Sequence, residues 1–177
     1  VWWLLKQIYD KGLLYKGYTI QPYSPKAGTG LSSHELNQPG TYKDVSDTTV
    51  TAQFKAIDET LPEALKGKLP LYLLAWTTTP WTLPSNTALT VGSAIDYVII
   101  QTFNQYTFEP IRLVLAKELV PKQFSGKYLP VETLDEVEAY DHESKKIPYF
   151  ILNEIKGKGL EGIRYEKIWK EAPKPID

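Results

Sequence analysis

The densest run of chemically useful side chains lies between two tryptophans, in "WTTTPWTLPSN", residues 76–86. Thr77, Thr78, Thr79 and Thr82 supply four hydroxyls, each with one donor and two acceptor lone pairs. Asn86 adds an amide, and Trp76 and Trp81 add apolar walls. In an extended chain side chains alternate, so Thr77 and Thr79 share one face and Thr78 takes the other. The set contains no strong nucleophile and no base. What it offers is a polar ligand site that orients a water, enough to cleave an ester that is already reactive. Read as structure alone, the same residues are a strand edge that Pro80 ends.

Other chemistries are narrowed by composition. The 177 residues carry a formal net charge of −1, 42% apolar and 23% charged residues and no cysteine. These are the proportions of an ordinary folded domain. No global positive field draws in nucleic acid, so RNA contacts must be local. Disulfides, thiolate metal sites and Cys–His catalysis are excluded. The two histidines, His34 and His142, lie far apart in sequence, show no ligand spacing, and predict no metal site. No apolar run nears the roughly 20 residues that span a bilayer, so no membrane partner is expected.

The elements that must position the threonines can be read from periodicity. Residues 1–15 read as an amphipathic helix with Trp2, Leu5, Ile8 and Tyr9 at helical spacing and Gly12 as its cap. Residues 18–23 read as a short strand, and 25–47 as a Gly-, Ser- and Pro-rich loop. Residues 49–57 alternate, with Val50, Ala52, Phe54 and Ala56 on one face. Residues 69–77 read as a strand buried on both faces. Strands at 88–91, 97–103 and 111–115 follow, then a helix at 116–124. Residues 148–155 fit strand or helix. The expected fold is mixed α/β: a β-barrel of short, largely antiparallel strands decorated by helices.

Two motifs reduce to bland readings. "GKGLEG", residues 157–162, matches G-x-G-x-x-G, yet the segment that follows, "IRYEKIWKEAPKPID", is short and contains two prolines, so it is read as a tight turn. The lysines 156, 158, 167, 170 and 174 are interleaved with glutamates, which makes a solvated mixed-charge surface. The acidic run from Asp135 to Glu143 is likewise a solvated face.

"AWTTTPWTLPSNTAL" resembles the threonine-rich motif of the editing domain of isoleucyl-tRNA synthetases, the insertion in the class I core called connective polypeptide 1. "VWWLLKQIYDKGLLYKGYTIQPYSP" resembles the family's lead into that insertion, "YKDVSDTTVTAQF" the preceding strand, and "LEGIRYEKI" a later Gly-x-x-Tyr turn. Related valine and leucine enzymes typically carry arginine where Thr79 stands. The resemblance covers essentially the whole chain. It implies a connector helix from the synthetase core at 1–17 and an editing domain at 18–177, truncated at its C-terminal end, within a larger cytoplasmic protein.

The implied activity has a physical need. Valine lacks one methylene of isoleucine, and a pocket gains only ~1–3 kcal/mol from such a group; this pair of amino acids is itself the standing example. A second, smaller pocket that admits valine alone would hydrolyse it from the isoleucine tRNA. The resemblance assigns Thr78 and Thr79 to catalysis by an oriented water, helped by the substrate's ribose hydroxyl. It gives Thr77, Thr78, Thr79, Trp81, Thr82 and Asn86 to the terminal adenosine and aminoacyl group, Asn86 contacting the tRNA end or holding the loop. The partners would be the 3′ end of tRNA mischarged with valine and the rest of the synthetase. No metal or cofactor is implied here, ATP serving the synthetic core only. The family's downstream block, whose aspartate holds the substrate amino group, has no counterpart; Asp177 matches no such motif. The alternative is a non-catalytic module that binds the tRNA acceptor end.

Overall fold

The computed structural model describes residues 1–141 and 144–169; His142, Lys170, Lys174 and Asp177 lie outside them. Two compact units are present, Val1–Ser46 and the chain from Asp47 onward.

The first unit holds helix α1 (Trp2–Asp10), a two-stranded antiparallel ribbon of β1 (Tyr23–Ser24) and β2 (Thr29–Gly30), and the single turn α2 (Ser33–Leu36). α1 ends at Asp10, short of the helix expected through residue 15, and the expected glycine cap ends it. Gly12 has φ +69°, its N–H donates to the Tyr9 carbonyl at 2.8 Å, and the Leu13 N–H reaches the Ile8 carbonyl at 3.2 Å. That pair of bonds is a Schellman motif, for which glycine supplies the left-handed residue. Ser32 and Glu35 form a reciprocal capping box on α2. The strand expected at 18–23 is confined to its last residue, since 18–22 carry no strand pairing.

The second unit is built on a six-stranded sheet of order β3-β4-β6-β5-β8-β7. Its strands are β3 (Val50–Lys55), β4 (Leu71–Thr77), β5 (Asp96–Phe103), β6 (Pro110–Ala116), β7 (Tyr128–Pro130) and β8 (Ile147–Lys156). β4–β6 and β7–β8 pair in parallel, and the other three pairs are antiparallel. The mixed α/β class therefore holds, but no closed barrel is found among the described residues. Closure would require the outer strands β3 and β7 to pair; just past the end of β3, Ala56 makes one isolated bridge, to Tyr165.

The core explains the order. β5 and β6 are central and alternate their apolar side chains to both faces. Val98, Ile100, Leu113 and Leu115 pack with Val120 and Phe124 on one face. Ile99 and Val114 pack with Leu61, Leu65, Leu71 and Leu160 on the other. Val120 belongs to the short helix α3 (Val120–Gln123), so the helix expected at 116–124 is half its length, with a 3-10 turn before it. Pro121 fits there because it lies in the first turn, where no intrahelical N–H is needed. A third cluster, Phe103, Val137 and Ile147, seats helix α4 (Leu134–Glu138).

Two expectations change. β4 is not buried on both faces: only Leu71 is fully buried, because its pairing with β6 ends at Leu73↔Val114. Residues 88–91 form no strand; they run as a connection into β5. Residues 148–155, left open between strand and helix, are β8, which carries a register shift opposite Ile99/Ile100. The turn at "GKGLEG" is a 3-10 turn, Gly157–Leu160. A Cβ on Gly157 would overlap the Gly92 carbonyl oxygen, so the glycine serves close backbone approach.

Candidate functional site

β4 delivers the threonines. It ends at Thr77, Thr78 makes a bend, and Pro80–Ser85 form a 3-10 helix with Thr79 as its leading residue. Pro80 opens that helix, where its missing N–H costs nothing. The chain reversal closes the hydroxyls on one another. The Thr79 N–H donates to Thr77 Oγ1 at 3.0 Å, and the two hydroxyls lie 3.2 Å apart. Thr82 Oγ1 donates to the Thr79 carbonyl at 2.7 Å and sits 3.5 Å from Thr79 Oγ1. Thr77, Thr79 and Thr82 thus form one chain of hydroxyls. Thr78 is exposed, and its hydroxyl has no hydrogen-bond partner among the described residues.

Asn86 follows the 3-10 helix and joins it to the rest of the unit. Its Nδ2 donates to the Ala88 carbonyl at 3.1 Å, and its Oδ1 accepts the Tyr165 hydroxyl at 2.6 Å. Tyr165 packs edge-on against Phe54 of β3, ring centroids 5.0 Å apart. Burial pushes the Tyr165 phenol above its ordinary pKa. The importance of Tyr165 is not visible in the threonine motif itself; its signal is the Gly162–Tyr165 turn, whose glycine has φ +81°.

Beside this turn lies a cavity of about 840 Å³. It opens where β4 and β6 part: Leu74, Ala75 and Trp76 line one side, Leu115 and Ala116 the other. Asn86 and Tyr165 also line it, whereas Thr77, Thr78, Thr79, Trp81 and Thr82 are absent from its described lining. Of the two tryptophans expected as apolar walls, Trp76 lines the cavity and Trp81 does not. Trp81 is 70% exposed, and Trp76, 57% exposed, carries the Lys122 ammonium 5.5 Å from its ring centroid. Lys122 was not among the residues expected to matter, because its place beside Trp76 is a contact between residues far apart in sequence.

The arrangement can hold polar groups and orient a water. The hydroxyls bond to one another and to backbone, with no carboxylate or imidazole among their described partners. No group of three or more His, Cys, Asp or Glu converges among the described residues. No described helix is long and apolar enough to cross a membrane.

A six-stranded mixed sheet that ends in a threonine-rich turn sits here within a wider sequence match. The model of the class I tRNA synthetases (I, L, M and V) matches residues 1–155, and the chain belongs to that family. Within it, the chain is 58% identical over 168 residues to isoleucine–tRNA ligase of Bacteroides fragilis, and equally so to that of Cytophaga hutchinsonii. Each match covers 95% of this chain and 14% of the relative. Isoleucine–tRNA ligase of Clostridium novyi is 40% identical over 174 residues, covering 98% of this chain and 13% of the relative. The chain thus spans a small part of the length of the relatives it matches.

Proposed function

We propose that this chain is the hydroxyl-bearing part of a proofreading site in an isoleucine–tRNA ligase. The site would hydrolyse valine esterified to the isoleucine tRNA. The observation that carries this reading is the linked set Thr77–Thr79–Thr82 at the end of β4, in a chain so similar to isoleucine–tRNA ligases. Thr78 and Thr79 would position a water against the ester carbonyl. The water adds to that carbonyl, the bond to the ribose oxygen breaks, and a neighbouring ribose hydroxyl of the substrate helps carry the proton. Residues 1–17 would connect to the synthetic core, where ATP is used, and the remainder would belong to the editing module of a cytoplasmic enzyme.

The test uses the full-length enzyme. Thr78→Ala/Thr79→Ala should let valyl-tRNA for isoleucine accumulate while isoleucine attachment continues. Clearance at the normal rate would overturn the assignment.

A second reading has its own support: the threonine hydroxyls have no described partner able to act as a base. On that reading the 177-residue chain binds the acceptor end without cleaving it. Following ester loss from mischarged tRNA mixed with the chain separates the two, since turnover above background excludes binding alone.

A further inference from the structure

We infer that Trp76 and Lys122 form a seat for one unpaired nucleotide of single-stranded RNA, at the rim of the cavity where β4 leaves β6. The identity of the strand as a tRNA end rests on the function proposed above; the seat itself does not. Trp76 is a large ring left 57% exposed on a strand whose neighbours are mostly half-buried. Lys122 lies 5.5 Å from its centroid, so cation and ring are already paired before any ligand arrives. The Thr51 hydroxyl donates to Gln123 Oε1 at 3.3 Å, which links β3 to the helix carrying Lys122.

Charge favours an anion there. Arg164 and Lys167 line the same cavity as Trp76, and none of Lys122, Arg164 and Lys167 has a salt bridge among the described residues. Glu161 is the one carboxylate in the described lining. Lys117 and Lys156, by contrast, are each paired, with Glu154 at 2.6 Å and with Asp96 at 2.7 Å. A half-exposed indole beside cations with no described salt bridge suits a base that stacks and a phosphate that pairs. Proteins that hold single strands combine these two elements. The net charge of −1 is consistent with a local seat and with no general affinity for duplexes.

The experiment is binding of a fluorescein-labelled ACCA ribonucleotide to the 177-residue chain, by anisotropy across a range of salt. The probe carries no ester, so its binding reads the seat independently of whether the threonines hydrolyse anything. Trp76→Ala should weaken binding about 5- to 150-fold and Trp76→Phe much less, since a ring for stacking remains. Lys122→Gln should lower the salt slope by about 0.7, the value for one single-strand phosphate contact, with Lys122→Arg retaining it. Far-ultraviolet dichroism checks that each variant keeps its fold. Wild-type affinity in Trp76→Ala and Lys122→Gln would overturn the proposal. So would absence of binding by the wild type, or equal competition from a polyglutamate peptide of matched charge.

Discussion

The Tyr165 hydroxyl donates to Asn86 Oδ1 at 2.6 Å, which ties the Gly162–Tyr165 turn beside the cavity to the loop that follows the threonines. The two residues are 79 apart in sequence, and the bond is part-buried. Tyr165→Phe removes the donor and leaves the ring on Phe54. Loss of one such bond should cost about 1 kcal/mol and lower the thermal midpoint by about 3 °C. Differential scanning calorimetry checks this, and hydrogen exchange should quicken at residues 86–90.

The same phenol gives a pH dependence. Its pKa is raised by burial in the folded state, so the neutral form is favoured there. The contribution is fully present below the unfolded value of about 10 and is lost as pH rises through the folded value. Tyr128 is shifted in the same direction, also chiefly by burial. Stability in urea should therefore fall more steeply above about pH 10 for the wild type than for Tyr165→Phe.

Arg112 predicts a larger loss. It is 5% exposed on a central strand, its Nη1 donating to the Leu65 carbonyl at 2.7 Å and its Nε to the Leu69 carbonyl at 2.9 Å. Burial lowers its pKa, and the charge of Asp58 opposes that. Nη2 has no partner among the described residues. Arg112→Met would leave two carbonyls unanswered beneath the connection into β4. The expected cost is about 2–3 kcal/mol, read from the urea midpoint.

Gly157→Ala tests the close approach of the β8 turn to Gly92. The added methyl must displace a carbonyl whose residue also bonds the Ile95 N–H at 3.0 Å. Overpacking of this kind should cost about 1–3 kcal/mol. A thermal midpoint equal to wild type would mean that the turn yields freely.

What could be read from the residues was set by the range of the interaction involved. The alternation in "TVTAQFKAI" and the β-rich "YVIIQTF" and "IRLVL" depend on local periodicity, and β3, β5 and β6 lie where it places them. The burial of β4 depends on how far a neighbour distant in sequence pairs with it, and "LYLLAWT" carries no mark of pairing that ends at Leu73. The same reason misled the strand at 88–91, where apolar residues serve the cavity wall rather than a ladder. Within the site, the Thr77–Thr79 contact follows from alternation and a proline stop. Lys122 over Trp76 and Tyr165 on Asn86 join residues 46 and 79 positions apart, and no spacing rule reaches that far.

The parting of β4 from β6 has a mechanical consequence. The β3–β4 pair is clamped to the sheet at Leu71–Leu73 and carries its threonines beyond that clamp, where its contacts with α3 are side-chain ones, Thr51 to Gln123 and Trp76 to Lys122. From Leu73 to Thr77 is about 13 Å of strand, so a small rotation at the clamp becomes a larger displacement at the hydroxyls. The gap beside Ala75 and Trp76 lies on this stretch, between the clamp and the threonines.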